Sequence, residues 1–302
     1  MAWLQVHLYA ERADTEAVED ALLDCGAVSV TLADSADNPI LEPGVGETPL
    51  WETVKITGLF EMPADQEQLS AAFTALRPDV NDDDLYWETV EDQAWERAWM
   101  AHFEPIQCGQ RLWICPSWQE PPDPDAVNLR LDPGLAFGSG THPTTFLCLQ
   151  WLDGLDLTGK TVIDYGCGSG ILGIAALLLG AARVIAVDND PQALLATCDN
   201  LERNALDPGR LTAYLPDEAP AMPVAGGADI LVANILAGPL IDLAPRLTSL
   251  TAADGQLCLS GLNCDQAAEV MAAYPAFRFD PVATREEWVR LSARKTAPGA
   301  SR

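Results

Sequence analysis

Val162-Ile163-Asp164-Tyr165-Gly166-Cys167-Gly168-Ser169-Gly170 runs from an apolar strand into three alternating glycines, and its reading decides the fold. A strand that turns sharply into a helix where its backbone approaches a ligand needs residues without a Cβ. Gly166, Gly168 and Gly170 supply that clearance. Ile171, Leu172, Ile174, Ala175 and Leu178 follow as one apolar helical face, and Arg183-Val184-Ile185-Ala186-Val187 reads as a buried parallel strand. Asp188 stands at that strand's carboxyl end.

An acidic side chain about twenty residues after the first glycine suits both hydroxyls of a ribose, so the loop predicts an adenosine-bearing cofactor. A dinucleotide fingerprint is spaced GxGxxG and aims amides at a pyrophosphate. The spacing here is GxGxG, with Asp164 two residues ahead of it. A carboxylate there repels a pyrophosphate and attracts the ammonium and sulfonium end of S-adenosylmethionine. The D-x-G-x-G-x-G form resembles motif I of class I methyltransferases.

Composition bounds the partners. The chain's 302 residues suffice for two domains, and 45 acidic against 17 basic residues give a net charge of −28. That balance disfavours a phosphate backbone, which rewards clustered Lys and Arg, so no direct nucleic-acid binding is expected. It attracts a basic protein by long-range steering, and it equally serves solubility. The start of the chain lacks a basic region followed by a long apolar run, and the most apolar window, 171–187, is too short to span a bilayer. Eight scattered cysteines without a C-x-x-C, beside three histidines, favour free thiols in a reducing cytoplasm and no metal site.

Ahead of the glycine loop the chain changes character. Trp3 to Tyr9 alternates as a strand, Asp14 opens an amphipathic helix, and Ala27 to Leu32 alternates again. After a Pro- and Gly-containing loop from Ser35 to Pro49 come strand Val54 to Phe60, helix Asp65 to Leu76 and strand Leu85 to Val90. The order β-α-β-β-α-β predicts a small ferredoxin-like α+β domain over 1–90 that carries no chemistry of its own and recognises substrate. Trp95, Trp99 and Phe103 share one face of an expected helix, so 91–125 reads as a linker helix and connecting segment, with Trp113, Pro116 and Trp118 leading into the domain at 126–302.

Beyond Asp188 the alternation continues with helix Pro191 to Arg203, strand Leu211 to Leu215, strand Asp229 to Asn234, helix Pro239 to Leu250 and strand Gln256 to Ser260. Such alternation gives a doubly wound, mostly parallel α/β sheet. Phe277 to Val282 and Glu287 to Ser292, joined by Ala283 to Glu286 without a helix, form an antiparallel end. The expected sheet has seven strands.

Two more segments converge on the crevice outside the strand ends. Leu131-Asp132-Pro133-Gly134-Leu135-Ala136-Phe137-Gly138-Ser139-Gly140-Thr141-His142-Pro143-Thr144-Thr145 is rich in backbone and hydroxyl hydrogen-bonding groups, ahead of a helix at Leu147 to Leu152. Ile230-Leu231-Val232-Ala233-Asn234 is a buried strand that delivers an amide at its carboxyl end. His142 reads as a base or as a support for the loop.

With D-P-G-x-A-F-G-x-G-x-H-x-T-T, D-x-G-C-G-S-G and A-N-I-L-A in that order, the whole chain resembles the ribosomal protein L11 methyltransferase family. Ser139 stands where that family usually has Thr. The resemblance implies S-adenosylmethionine as cofactor and ribosomal protein L11 as substrate, methylated on lysine side chains and the N-terminal α-amine. It places cofactor contacts at Thr145, Gly166, Asp188 and Asn234, beside the loop residues Asp164, Gly168 and Gly170, and gives Asn234 the orientation of the accepting amine. No general base is assigned. The alternatives are a methyltransferase acting on another protein or a small molecule, and a non-catalytic adenosine-ligand or NAD-binding protein.

Overall fold

The structure, a computed structural model, describes residues 2–36, 49–91, 103–132, 138, 140–217 and 226–296. The chain divides into two compact units, 1–102 and 103–302.

The N-terminal unit runs β1 (Ala2–Glu11), α1 (Thr15–Asp24), β2 (Ser29–Asp34), β3 (Thr53–Glu61), α2 (Gln66–Leu76) and β4 (Tyr86–Glu91). Its four strands lie in the order β2-β3-β1-β4, each pair antiparallel. Strand alternation turns Leu4, Val6 and Leu8 to one face, where they meet Val54, Ile56 and Phe60 and the helix residues Val18, Leu22 and Phe73. Asp65 caps α2 by accepting from the Glu67 and Gln68 amides at 3.0 and 3.2 Å.

Trp95 and Trp99 lie outside the described residues. Phe103 meets the Trp118 ring edge-on at 6.3 Å. The segment read as a connector contains two strands of the C-terminal unit, β5 (Ile106–Cys108) and β6 (Leu112–Cys115), which join β7 (Val127–Arg130) in a three-stranded sheet. Cys108, Leu112, Ile114 and Leu129 are fully buried in the larger core. Three or four residues are too few to display a period, and burial against the neighbouring helices makes them strands.

The rest of the unit alternates: α3 (Pro143–Asp153), β8 (Thr161–Tyr165), α4 (Ile171–Leu178), β9 (Arg183–Val187), α5 (Pro191–Arg203), β10 (Leu211–Tyr214), β11 (Ala228–Asn234), α6 (Ala237–Asp242), α7 (Ala244–Leu250), β12 (Thr251–Asn263), α8 (Ala267–Ala272), β13 (Phe277–Phe279), β14 (Ala283–Arg285) and β15 (Trp288–Lys295). The main sheet has the order β10-β9-β8-β11-β12-β15-β13, parallel up to β12 and antiparallel beyond it. Both of its faces are buried. Val162, Val184, Ala186 and Val232 pack on one side with α3 and α4, while Ile163, Ile185, Leu231 and Leu259 pack on the other with Leu240, Leu247 and Tyr274.

Three sequence expectations change. The sheet has eight strands, because Ala283–Arg285, read as a connection, folds back on β15 through a turn at Glu286 with φ 57. The helix read over Pro239 to Leu250 is two helices that meet at Leu243. Pro245 has no amide to donate to Ile241, and its ring crowds that carbonyl, so the first helix ends and a second begins. The helix expected at Leu147 starts at Pro143, whose fixed φ suits a first turn.

Candidate active site

The carboxyl edge of the main sheet carries the site. Gly166 and Cys167 donate their amides to the Val187 carbonyl at 2.7 and 3.1 Å, which ties the loop after β8 to the end of β9. Gly166, Gly168 and Gly170 have φ of 77, 53 and 76, in the left-handed region. A Cβ on Gly166 would overlap Ile235, and one on Gly170 would press on Thr197. Asp188 accepts from the Gly168 amide at 2.9 Å and from the Asp190 amide at 3.0 Å, so it orders the loop as well as facing the crevice.

The underside of the loop is held by residues that the sequence reading did not single out. Thr197 donates to the Gly168 carbonyl at 3.1 Å, and Asn200 Nδ2 donates to the Ser169 carbonyl at 2.9 Å. Both lie on α5 and are buried. Ser169 in turn donates to the Gly138 carbonyl at 2.8 Å, which ties Gly138 to the loop. Two polar residues on the inward face of an otherwise amphipathic helix are the signal that identifies them.

Asp164 works from beneath the loop. It is fully buried and does not line the crevice. Its Oδ2 accepts from the Gly173 amide in the first turn of α4 at 2.9 Å, while its Oδ1 has no hydrogen-bond partner among the described residues. Burial pushes its carboxyl up to about 7, against the Gly173 hydrogen bond, and Asp188 adds a like charge. A through-space attraction for a cation is therefore weaker here than for an ionised surface carboxylate.

At the end of β11, the Asn234 amide nitrogen donates to Thr145 Oγ1 at 3.2 Å. Asn234 Oδ1 is buried with no partner among the described residues, an acceptor left for a ligand. Thr145 is fully buried behind it. His142 caps α3: its Nδ1 accepts from the Thr144 amide at 3.3 Å and lies 2.7 Å from Thr144 Oγ1. Its ring meets the Trp288 ring edge-to-face at 4.8 Å. Burial holds its imidazole below the usual histidine range, against the opposing charges of Glu286 and Glu287.

These elements enclose a cavity of about 640 Å³, lined by Gly166, Gly168, Asp188, Asn189 and Pro216 toward one side and by Asn234, Ile235, Gly261, His142, Thr144 and Trp288 toward the other. Of the sequence-predicted residues, Gly166, Gly168, Asp188 and Asn234 reach the cavity. Thr145, Asp164 and Gly170 do not line it; Thr145 bonds to Asn234, and Asp164 bonds to the Gly173 amide beneath the loop. Its chemistry suits a nucleoside with a polar arm: a carboxylate at a strand end for vicinal hydroxyls, glycine backbone for close approach, and an orphaned amide oxygen for an N–H donor.

The family profile described as "Ribosomal protein L11 methyltransferase (PrmA)" matches residues 2–296. The chain is 59% identical over 297 residues to the "Ribosomal protein L11 methyltransferase" of Cellvibrio japonicus, covering 98% of this chain and 99% of the relative. It is 54% identical over 298 residues to the protein of the same name from Pseudomonas aeruginosa, covering 98% of this chain and all of the relative. A crystal structure of "ribosomal protein L11 methylase" from Lactobacillus delbrueckii subsp. bulgaricus superposes with a TM-score of 0.57 at 34% identity, covering 65% of this chain and 100% of that one. With the motifs, the sheet order and a match over nearly its whole length in agreement, the chain belongs to the ribosomal protein L11 methyltransferase family.

Proposed function

We propose that this protein transfers methyl groups from S-adenosylmethionine to amino groups of ribosomal protein L11, on lysine side chains and the N-terminal α-amine, in the cytoplasm. The observation that carries the reading is Asn234 Oδ1, buried without a hydrogen-bond partner among the described residues, in the same cavity as the ribose-suited Asp188. The names of the full-length relatives support the substrate, and the net charge of −28 supports a basic one. The N-terminal unit serves as the recognition domain, with a ferredoxin-like sheet that leaves the chemistry to the C-terminal unit.

When bound, S-adenosylmethionine supplies a sulfonium methyl whose carbon takes the amine's lone pair in line with the departing sulfur. Asp188 would hold the ribose hydroxyls, and the backbone of Gly166, which lines the cavity without a side chain, would flank the amino-acid arm. Asn234 accepts one N–H of the acceptor, which aims the nitrogen's lone pair away from that bond. Alignment of this kind contributes of the order of 7 kcal/mol or more. A lysine amine has a pKa of about 10.4 in water, so the proton leaves to solvent as the cavity desolvates the nitrogen, before the methyl moves.

The test is purified protein, L11 and S-adenosylmethionine labelled in its methyl group, followed by peptide mapping. Label on L11 amines is the expected result. Label on another acceptor with L11 untouched would overturn the substrate, and no binding of S-adenosylhomocysteine, or binding of NAD instead, would overturn the cofactor.

A further inference from the structure

Strand order turns the cavity into a ruler. Along the carboxyl edge the sheet presents Pro216 after β10, Asp188 after β9, Gly166 after β8, Asn234 at the end of β11, Gly261 within β12 and Trp288 at the start of β15. Neighbouring strands lie about 4.8 Å apart, which sets Trp288 about 19 Å along the edge from Asp188 and about 10 Å from Asn234. The ribose-suited carboxylate and the indole therefore stand at opposite ends, with the orphaned amide between them.

The far end is built. Gly261 has φ 92 at an irregularity in the pairing of β12 with β15, and a Cβ there would strike the Ile235 carbonyl, so β11 and β12 close into one wall. Trp288 is held on both sides by backbone pairing, to Asn263 and to Arg285. Arg290 Nη1 donates to the Leu147 carbonyl at 3.3 Å, which fixes β15 against α3 and brings His142 onto the indole. Glu286 and Glu287 sit at the adjoining turn, close enough to act on His142.

We propose that Trp288, with His142 and Thr144 beside it and Glu286 and Glu287 at its rim, forms the acceptor subsite, taking a primary amine on an unbranched aliphatic arm. The aliphatic stem lies on the indole, and the ammonium is drawn in by the ring face and the two carboxylates before it loses its proton near Asn234. This rests on the methyl-transfer reading, which assigns the Asp188 end to the cofactor.

The test is a titration of Nα-acetyl-lysine amide into the full-length protein, with and without S-adenosylhomocysteine, followed by NMR at the Trp288 indole proton. A saturable shift is expected in the wild type. By calorimetry, which needs no indole signal, Trp288→Ala weakens binding of this probe about tenfold, and Trp288→Phe retains most of it, while S-adenosylhomocysteine affinity stays within about twofold in both. No shift in the wild type, unchanged probe affinity in Trp288→Ala, or an equal loss of S-adenosylhomocysteine affinity would overturn the assignment. Failure of L11 to accept label is a separate result, since this titration uses no L11.

Discussion

The Asn234 amide nitrogen donates to Thr145 Oγ1 at 3.2 Å, and that one bond decides which way the amide faces. With its nitrogen committed to the helix behind, the amide presents its oxygen to the substrate side.

Thr145→Val keeps the volume and removes the hydroxyl, so the amide loses its reference. Turnover is expected to fall roughly tenfold, the equivalent of one neutral hydrogen bond, with Thr145→Ser recovering most of it. Steady-state kinetics on L11 beside calorimetry with S-adenosylhomocysteine separate two roles. A loss confined to kcat means that Thr145 acts through Asn234, and an equal loss of cofactor affinity means direct contact.

Asp188 carries two backbone amides of its own region besides its proposed ribose contacts. Asp188→Ala is therefore expected to weaken S-adenosylhomocysteine binding by about tenfold to a hundredfold, since bonds to a charged acceptor are worth about 1.5–3 kcal/mol each. Unchanged affinity in calorimetry would place the ribose elsewhere.

Gly261→Ala tests the wall between β11 and β12. The residue has φ 92, and the atom that a Cβ would meet is the Ile235 carbonyl, part of a backbone that cannot rotate away. A left-handed conformation alone costs about 1–2 kcal/mol, so thermal melting is expected to drop by several degrees. Displacing Ile235 also moves Asn234, and activity falls further than the stability loss explains.

Asp164 gives a pH signature. Its carboxyl rises from the usual range, 3.8, to about 7 in the folded protein. The folded state therefore holds a proton that the unfolded state has released, and this group's stabilisation, complete below its unfolded pKa, is lost as pH rises through about 7. The loss is of the order of a few kcal/mol. Asp164→Asn removes the titration, so its melting temperature relative to wild type should climb between pH 4 and 8, and a flat difference would contradict the assignment.

Much of this architecture was legible in the chain. Asp190 and Pro191 mark the start of α5 by cap and ring, and the apolar runs that become β8, β9 and β11 are long enough to declare buried parallel strands. Strands β5, β6 and β14 were not, because three or four residues carry no period, although β5 with β6 and β14 with β15 pair across short local turns. The break at Pro245 had a signal in the proline itself. In the site, glycine spacing and strand-end position located Gly166, Asp188 and Asn234. The support from Thr197 and Asn200, and the retreat of Asp164 beneath the loop, depend on how α4 and α5 pack on the sheet, which spacing does not encode.

The most direct measurement is the mass of L11 isolated from cells that carry this protein and from cells that lack it. The account predicts L11 lighter by whole methyl increments in the deleted strain, restored by the intact gene and not by a variant carrying Asn234→Ala. Identical L11 masses in the two strains would contradict it.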